Sequence, residues 1–326
     1  MCKFVANIFL FLTLLNASII ILINGSSYIR ISEKPVRNKV IKWNLPVQYD
    51  IDPNLNLYEW NIMLAIGNIQ SHTCITFFQK QNKDNETNSI YFKHQESDYC
   101  SAETLGLSHK NKTQIIFIGK DCRSKPLRIQ RLIHNTLGAL NVQLRDDRDK
   151  YIKINETNMN NLGPKYFNRS CYPETDTYET IYDYGSLLHC NAYPFSKDIN
   201  KLKTVEPIES EYKSLYENMM GQTEYVTFYD YKYLNLLYCN DSCKHRPKIQ
   251  CFNSGYQDPK DCTKCVCPSG FIGWNCSENP ISFDKCGKSY HYVTKQEQKI
   301  EYFLLVYYCA YKLKASNNKR ICIKTS

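Results

Sequence analysis

Residues 127–150 read LRIQRLIHNTLGALNVQLRDDRDK, a stretch of helical apolar periodicity that leads into a charged cluster. Residues 127–140 are predicted to form an amphipathic helix, because their apolar side chains recur at helical spacing. The predicted apolar face consists of Ile129, Leu132, Ile133, Thr136, Leu137 and Leu140. Gly138 is well placed to stop the helix, since glycine readily adopts the positive φ of a helix C-terminus.

The sequence around this helix alternates between strand-like and helix-like runs without internal repeats. Four runs are predicted to be strands: residues 43–51, 74–78, 90–94 and 114–119. Residues 58–69 are predicted to form a second helix. Its helically spaced apolar residues include Trp60, Met63, Leu64 and Ile66. Because the strands come first and the helices later, we predict an α+β domain rather than a doubly wound parallel sheet.

The N-terminus has the features of a signal peptide over residues 1–26. An apolar run covers residues 4–23, and the small residues Gly25, Ser26 and Ser27 follow it. The run exceeds the usual apolar core of about 7 to 15 residues, so an uncleaved signal-anchor is an alternative. We predict a secreted, extracellular protein that is attached to a membrane only if this segment stays uncleaved. Residues 27–39 are interpreted as a short pro-segment or linker.

Cysteine and sequon content agrees with export. The chain has 16 cysteines, and disulfides and N-glycans both belong to the secretory route. Besides a sequon at Asn24, the predicted glycosylation sites are Asn85, Asn111, Asn155, Asn168, Asn240 and Asn275. The net charge is +9, but its 41 Lys and Arg are scattered among 32 Asp and Glu. Without a dense basic block, nucleic acid is not a predicted partner.

Residues 243–276 have almost no apolar periodicity and are rich in cysteine and turn residues. Such a segment cannot bury a core and must be held by disulfides. Its ending, CVCPSGFIGWNC at residues 265–276, resembles the close of an EGF-like module. The cysteines predicted to pair among themselves, in a connectivity left open, are Cys243, Cys251, Cys262, Cys265, Cys267 and Cys276. Residues 281–326 resemble the opening of a CUB domain, a β-sandwich that would be truncated here.

Short phrases in residues 40–240 resemble the astacin family of zinc metalloproteases, especially the nematode type that carries EGF-like and CUB modules. In order along the chain they are KW at 42–43, PVQY at 46–49, TCITF at 73–77, CS at 100–101, RDDRDKY at 145–151, YDYGS at 182–186 and GQ at 221–222. The resemblance implies the two-lobed metzincin protease fold with a central cleft.

The active-site helix of that family reads His-Glu-x-x-His-x-x-Gly-Phe-x-His-Glu-x-x-Arg-x-Asp-Arg-Asp. Its three histidines bind zinc, because two lie on one helical face and the third returns after the glycine turn. The first glutamate deprotonates the zinc-bound water. Counting back from residues 145–149 without gaps puts Arg131, Asn135 and Asn141 at the ligand positions and Leu132 at the general-base position.

These residues lack the chemistry that the family requires. A charged guanidinium has no lone pair to donate, neutral amides are poor zinc ligands beside imidazole, and leucine cannot accept a proton. The family's next glutamate, which pairs with the mature N-terminus, is replaced by Val142. We therefore predict no catalytic residue, no metal ligand and no cofactor, although zinc is the family's cofactor.

The family's Ser-x-Met-His-Tyr turn reads SLLHC at residues 186–190. Leu188 replaces the methionine at similar volume, and His189 keeps the structural histidine. Cys190 removes the phenol that stabilises the oxyanion. A Cys/His metal site is one reading of Cys190, but in an exported chain a disulfide with Cys171 is the favoured prediction.

Three polar or charged features of the helix region have more than one reading. Arg131 either places its guanidinium where the charge of zinc would lie or projects into solvent. A one-residue helix slip that turns His134 toward a metal is disfavoured, because it would disrupt the packed apolar face. The residues Asp147, Arg148 and Asp149 resemble a carboxylate cluster, but the family resemblance implies a structural role in fixing the turn.

The resemblance further implies specific disulfides. These are Cys74–Cys239, Cys100–Cys122 and, in the CUB-like segment, Cys286–Cys309. Cys322 is then left over, which indicates an intermolecular link or a truncated domain.

Three functions are compatible with these patterns. The leading interpretation is a catalytically inactive homologue that binds extracellular proteins or peptides, acts as a decoy, or partners an active relative. The alternative is an active zinc metalloendopeptidase that uses unrecognised ligands. In the third, the EGF-like and CUB-like segments do the binding and the large domain is a spacer. Metal content distinguishes the first two.

Overall fold

The computed structural model describes residues 40–80, 88–108, 112–172, 176–279, 290–293 and 312–315. One compact unit of the chain ends at Lys244 and the other includes the residues from His245 onward. The predicted signal peptide (1–26) and linker (27–39) lie outside the described residues, as do Cys286, Cys309 and Cys322. Within the described part of the chain, no helix is both long and apolar enough to span a membrane.

A five-stranded sheet forms the first half of the first unit. Its strands are β1 (Val47–Ile51), β2 (Phe77–Gln79), β3 (Ser89–His94), β4 (Ser101–Ala102) and β5 (Thr113–Ile118). The order is β2-β1-β3-β5-β4, with β4 alone antiparallel, at an edge. The strand predicted at residues 43–51 begins at Val47, because Pro46 has no N–H for a ladder. Strand β4 was missed, since two residues carry no periodicity.

Two helices accompany this sheet and pack against each other: α1 (Glu59–His72) and α2 (Pro126–Thr136). The buried residues of α1 are Ile62, Ala65, Ile66 and Ile69. Of the four residues predicted on its apolar face, only Ile66 is buried, and Trp60 is 68% exposed. The predicted apolar face of α2 is buried along its whole length.

Helix α2 ends at Thr136, four residues before the predicted end. Gly138 adopts a φ of +103°, and its N–H donates to the carbonyl of Asn135 at 2.9 Å. A Cβ at Gly138 would lie 2.4 Å from Cγ1 of Val40. Glycine is therefore required both by the backbone conformation and by the close approach of Val40, and its predicted role in stopping the helix is confirmed.

The second half of this unit consists of short elements. Its helices are α3 (Gly163–Phe167), α4 (Lys213–Met219) and α5 (Phe228–Tyr238), and its strands β6 (Ile152–Ile154) and β7 (Val205–Pro207) pair antiparallel. Its 3₁₀ helices are Val142–Leu144, Arg148–Lys150, Glu156–Asn158 and Arg169–Cys171. A further 3₁₀ helix, Pro53–Tyr58, lies in the first half. Both halves contribute to one hydrophobic core. The predicted disulfides Cys74–Cys239 and Cys100–Cys122 are present. The predicted α+β class is confirmed.

The second unit is held by disulfides rather than by a large core. Strands β8 (Tyr256–Gln257) and β9 (Cys265–Val266) pair antiparallel. Cys251 bonds Cys265, and Cys267 bonds Cys276. Cys262 is also disulfide-bonded, as is Cys243 at the end of the first unit. Further along, β10 (Tyr290–Val293) and β11 (Lys312–Ala315) pair in parallel. The EGF-like and CUB-like identities stay predictions.

The predicted glycosylation sites have different settings. Asn168 and Asn240 are exposed, and Asn155 and Asn275 are partly exposed. Asn85 and Asn111 lie outside the described residues. Modification at all six positions stays a prediction.

Candidate functional site

Helix α2 and the turn at residues 186–190 bring the predicted site positions together. Arg131 reaches from α2 to the turn, where its Nη2 donates to the carbonyl of Leu188 at 3.4 Å. Leu132, at the general-base position, is 1% exposed and belongs to the hydrophobic core. Leu188 is 3% exposed. An aliphatic side chain therefore packs where the family resemblance calls for a carboxylate.

The two amides at the second and third ligand positions bond directly to each other. Nδ2 of Asn135 donates to Oδ1 of Asn141 at 3.1 Å and to the carbonyl of Ala139 at 2.9 Å. Nδ2 of Asn141 donates to Oη of Tyr166 at 2.8 Å. Both asparagines are 1% exposed. Because buried polar groups need such partners, these bonds stabilise the site as an amide pair.

Tyr166 extends this network to the turn. Its Oη also accepts from Nε2 of Gln143 at 3.0 Å, and Oε1 of Gln143 accepts from the backbone N of Cys190 at 3.0 Å. Burial raises the pKa of Tyr166 to about 12, so the phenol is neutral at physiological pH. The network joins α2, α3 and the turn through side chains that are all buried.

The guanidinium of Arg131 has few partners in this setting. Its Nε is buried and makes no hydrogen bond, and the side chain forms no ion pair with any described residue. Burial lowers its pKa, while the nearby Tyr166, Cys190 and Asp230 act in the opposite direction. The carboxylate of Asp230 instead accepts from the backbone N of Leu187 at 2.9 Å and of Thr227 at 3.0 Å.

Cys190 is a free, buried thiol, so the predicted disulfide with Cys171 is wrong. The backbone of Cys190 is fixed on both sides, because its N–H bonds Gln143 and its carbonyl lies 2.7 Å from Nδ1 of His189. Burial raises the pKa of the Cys190 thiol to about 12. A buried thiol that keeps its proton is a poor nucleophile.

The two histidines near the site have opposite surroundings. His189 uses both ring nitrogens, with the Cys190 carbonyl and with Oη of Tyr182 at 2.9 Å, which agrees with a structural role. His134 is fully buried and neither ring nitrogen has a partner. Its ring meets Tyr231 edge-on, with 6.1 Å between centroids. Burial lowers the pKa of each histidine to about 4, so both are neutral at physiological pH.

The charged residues after α2 have a structural role. Arg145 binds Asp147 in a bidentate pair, with both N–O distances at 2.8 Å, and also donates to the carbonyls of Thr180 and Ile181 at 3.0 Å. The carboxylate of Asp147 has a lowered pKa; burial opposes this, but the Arg145 guanidinium outweighs it. Charge-assisted bonds thus hold the segment after the helix to residues 180–181.

The side chains at the ligand positions do not fit zinc. Zinc takes lone pairs from imidazole, thiolate or carboxylate, whereas this position offers a guanidinium and two amides that are already bonded to each other. In the described ranges, no group of three or more His, Cys, Asp or Glu residues is placed to hold a metal ion.

Two residues of the network were not predicted from the sequence. Tyr166 lies in α3 and Gln143 in the 3₁₀ helix after the third ligand position, and neither belongs to a motif of the family pattern. The only signal was indirect, since an asparagine at a buried ligand position must find new hydrogen-bond partners.

Comparison with known proteins identifies the class of fold first. High choriolytic enzyme 1, a hatching enzyme zinc-protease from Oryzias latipes, aligns with a TM-score of 0.51 and 24% identity, over 61% of this chain and 94% of that one. At this identity the likeness shows the fold, which is a metzincin-type protease fold. The family model for the astacin peptidases matches residues 35–239. The chain therefore belongs to the astacin family.

Sequence relatives agree with this assignment. The chain is 33% identical over 253 residues to zinc metalloproteinase nas-36 of Brugia malayi, covering 76% of this chain and 40% of that protein. Against zinc metalloproteinase dpy-31 of Caenorhabditis elegans the identity is 29% over 252 residues, with the same 76% and 40% coverage. The chain thus spans well under half the length of these relatives.

Proposed function

We propose that this chain is a secreted, catalytically inactive member of the astacin family that binds extracellular proteins or peptides. The observation that carries the proposal is the hydrogen bond between Asn135 and Asn141. Two positions that must offer lone pairs to zinc are bonded to each other, and the third holds the cation Arg131. Like charge repels a divalent metal from this position.

Loss of the general base supports the same conclusion. Leu132 has no group that accepts a proton, and it is packed in the core. A general base contributes about 10² to 10⁴-fold to such reactions. Even an adventitious metal would therefore lack the residue that activates its water.

The fold around the cleft is nevertheless well stabilised. The disulfides Cys74–Cys239 and Cys100–Cys122 and the Arg145–Asp147 pair are all in place. A protease fold that keeps its stabilising bonds while its catalytic positions change is suited to bind a peptide without cleaving it. This supports a role in binding or as a decoy.

Peptide cleavage and peptide retention test the proposal together. The full chain, purified from the medium of secreting cells without chelators, is incubated with a mixture of synthetic peptides with and without added zinc. We expect intact peptides by mass spectrometry and measurable retention of a subset on the immobilised chain. Cleavage that a zinc chelator abolishes would overturn the proposal in favour of a zinc metalloendopeptidase.

A matched variant separates intrinsic activity from a contaminating protease. Asn141→Ala removes a side chain at a ligand position, so intrinsic zinc-dependent cleavage would fall in the variant. Cleavage by a contaminant would be the same in both preparations. Failure of the immobilised chain to retain any peptide would contradict the binding role.

A further inference from the structure

We propose that the position of the first zinc ligand is here an anion site, in which Arg131 and Tyr166 bind a carboxylate of a protein or peptide. This inference rests on the proposed function, because it requires a cleft that holds its ligand intact. It specifies the chemical class of that ligand, which nothing in the fold alone assigns.

Arg131 supplies the charge and has donors to spare. Its only hydrogen bond within the described residues is the 3.4 Å contact of Nη2 with the Leu188 carbonyl. Nε makes none although it is buried, and a buried unpaired donor is costly. The residue as a whole is half-buried, although its Nε is not exposed. A guanidinium with a free edge matches the two oxygens of a carboxylate.

Tyr166 supplies a second donor beside the guanidinium. Its Oη accepts from Asn141 at 2.8 Å and from Gln143 at 3.0 Å, which uses both lone pairs. No described residue accepts the phenol's own proton. Both side chains are tied to the turn at residues 186–190: Arg131 bonds the carbonyl of Leu188, and Tyr166 bonds Gln143, whose Oε1 accepts from the backbone N of Cys190. Two amide donors to the oxygen also make the phenol a better donor.

Cys190 completes a neighbourhood of donors. It lies on the same turn, where its backbone N–H donates to Oε1 of Gln143, the residue that also bonds Tyr166, and it is a free thiol. Burial raises the pKa of the thiol and of the phenol, so both keep their protons at neutral pH. A guanidinium, an O–H and an S–H favour an anion, whereas a metal ion requires lone pairs.

The charge of Arg131 is not already neutralised by the chain. Asp230 is its carboxylate neighbour, but that group is occupied by the backbone N–H groups of Leu187 and Thr227 and by the hydroxyl of Ser186. The anion must therefore come from outside. In a peptide-binding fold, the available carboxylates are acidic side chains and the C-terminus.

The test uses random eight-residue synthetic peptides in two matched sets, one with a free C-terminal carboxylate and one with a C-terminal amide. Each is passed over the immobilised full chain, and retained peptides are sequenced by mass spectrometry. We expect enrichment of Asp and Glu in both sets if side chains are bound. Enrichment of the free-acid set alone identifies the C-terminus as the source.

Two variants assign the effect to Arg131. Arg131→Gln should lower the affinity for the retained acidic peptides about tenfold, since a charge-assisted bond is lost. Arg128→Gln, on the same helix, should leave it unchanged, because the Arg128 Nη1 donates to the carbonyl of Asp121.

The outcomes separate this inference from the proposed function. Retention of peptides without preference for a carboxylate would overturn the anion site and leave the binding role intact. Failure to retain any peptide would overturn both. The comparison of acid with amide peptides uses the unaltered chain, so a lack of preference for a carboxylate overturns the anion site even if Arg131→Gln misfolds.

Discussion

Nδ2 of Asn135 lies 3.1 Å from Oδ1 of Asn141, so the side chains at two zinc-ligand positions of an astacin-family chain hydrogen-bond each other. The bond is buried and continues through Tyr166 to Gln143 and the turn. The site is therefore a connected polar network. Removing one member of such a network leaves its buried partners without hydrogen bonds.

Replacing Tyr166 by phenylalanine should destabilise the fold strongly. The substitution leaves the amide nitrogens of Asn141 and Gln143 buried without an acceptor. Each unsatisfied group costs about 1 to 3 kcal/mol, so the two together should lower the free energy of unfolding in urea by about 2 to 6 kcal/mol.

Tyr184→Phe is the matched control for this variant. It removes one bond, from the Tyr184 hydroxyl to the carbonyl of Tyr151 at 2.8 Å. A loss of about 1 kcal/mol is expected. Equal losses in the two variants would contradict the role of Tyr166 as the centre of the network.

Replacing His134 by leucine should stabilise the chain at neutral pH. Both ring nitrogens are buried without partners, so leucine removes an unsatisfied group at similar volume. A gain of about 1 to 3 kcal/mol in the free energy of unfolding is expected. His189→Leu serves as the control and should destabilise, because both of its nitrogens are bonded.

His134→Leu should also change how the free energy of unfolding depends on pH. The pKa of His134 falls from 6.5 to about 4 on folding, so between these values the unfolded chain binds more protons. Stability is therefore fully present above pH 6.5 and is lost as the pH falls toward 4, by up to about 1.4 kcal/mol per pH unit.

His134→Leu should make this loss shallower, measured by urea unfolding at several pH values. His189, whose pKa burial also lowers to about 4, contributes a loss of the same sign in both proteins. Burial raises the pKa of Asp183 to about 6, which gives a slope of opposite sign, but that contribution is common to both proteins. Identical slopes for the variant and the unaltered chain would show that His134 is not held neutral by burial.

Cys190 should resist thiol reagents in the native chain. Once the chain is unfolded, Cys190 should react with them even though no disulfide has been reduced. The thiol is 8% exposed, and burial raises its pKa to about 12. Alkylation followed by peptide mapping measures this. A peptide in which Cys171 and Cys190 remain linked before reduction would contradict the free thiol.

Restoring the three histidines should not restore a protease. We expect that Arg131→His, Asn135→His and Asn141→His together give no peptide cleavage, because Leu132 cannot accept a proton. Adding Leu132→Glu supplies the missing base and should raise cleavage above the triple variant. Cleavage by the triple variant, measured with a mixture of peptides in zinc, would show that Leu132 is not limiting.

Much of this site was predictable from sequence because its spacing is local. Arg131, Leu132 and Asn135 lie on one helix, and counting from the charged residues 145–149 places them without a structure. The end of α2 follows from Gly138, although the helix is shorter than periodicity suggests. Periodicity reports which face is apolar, whereas hydrogen bonds at the glycine decide where the helix ends.

The partners of these residues were not predictable, because they come from distant parts of the chain. Tyr166 lies 25 residues from the Asn141 that it bonds. Cys190 was assigned a disulfide because exported chains favour one, but in the structure it is a free, buried thiol. Such outcomes depend on tertiary packing, which neither periodicity nor cysteine counting reports.

The zinc content of the full secreted chain shows whether the amide pair has replaced the metal. The chain is purified without chelators, incubated with excess zinc, freed of unbound metal and analysed by mass spectrometry. We expect far less than one zinc per chain, with no difference between the unaltered protein and Asn141→Ala. One zinc per chain, lost in Asn141→Ala, would contradict it.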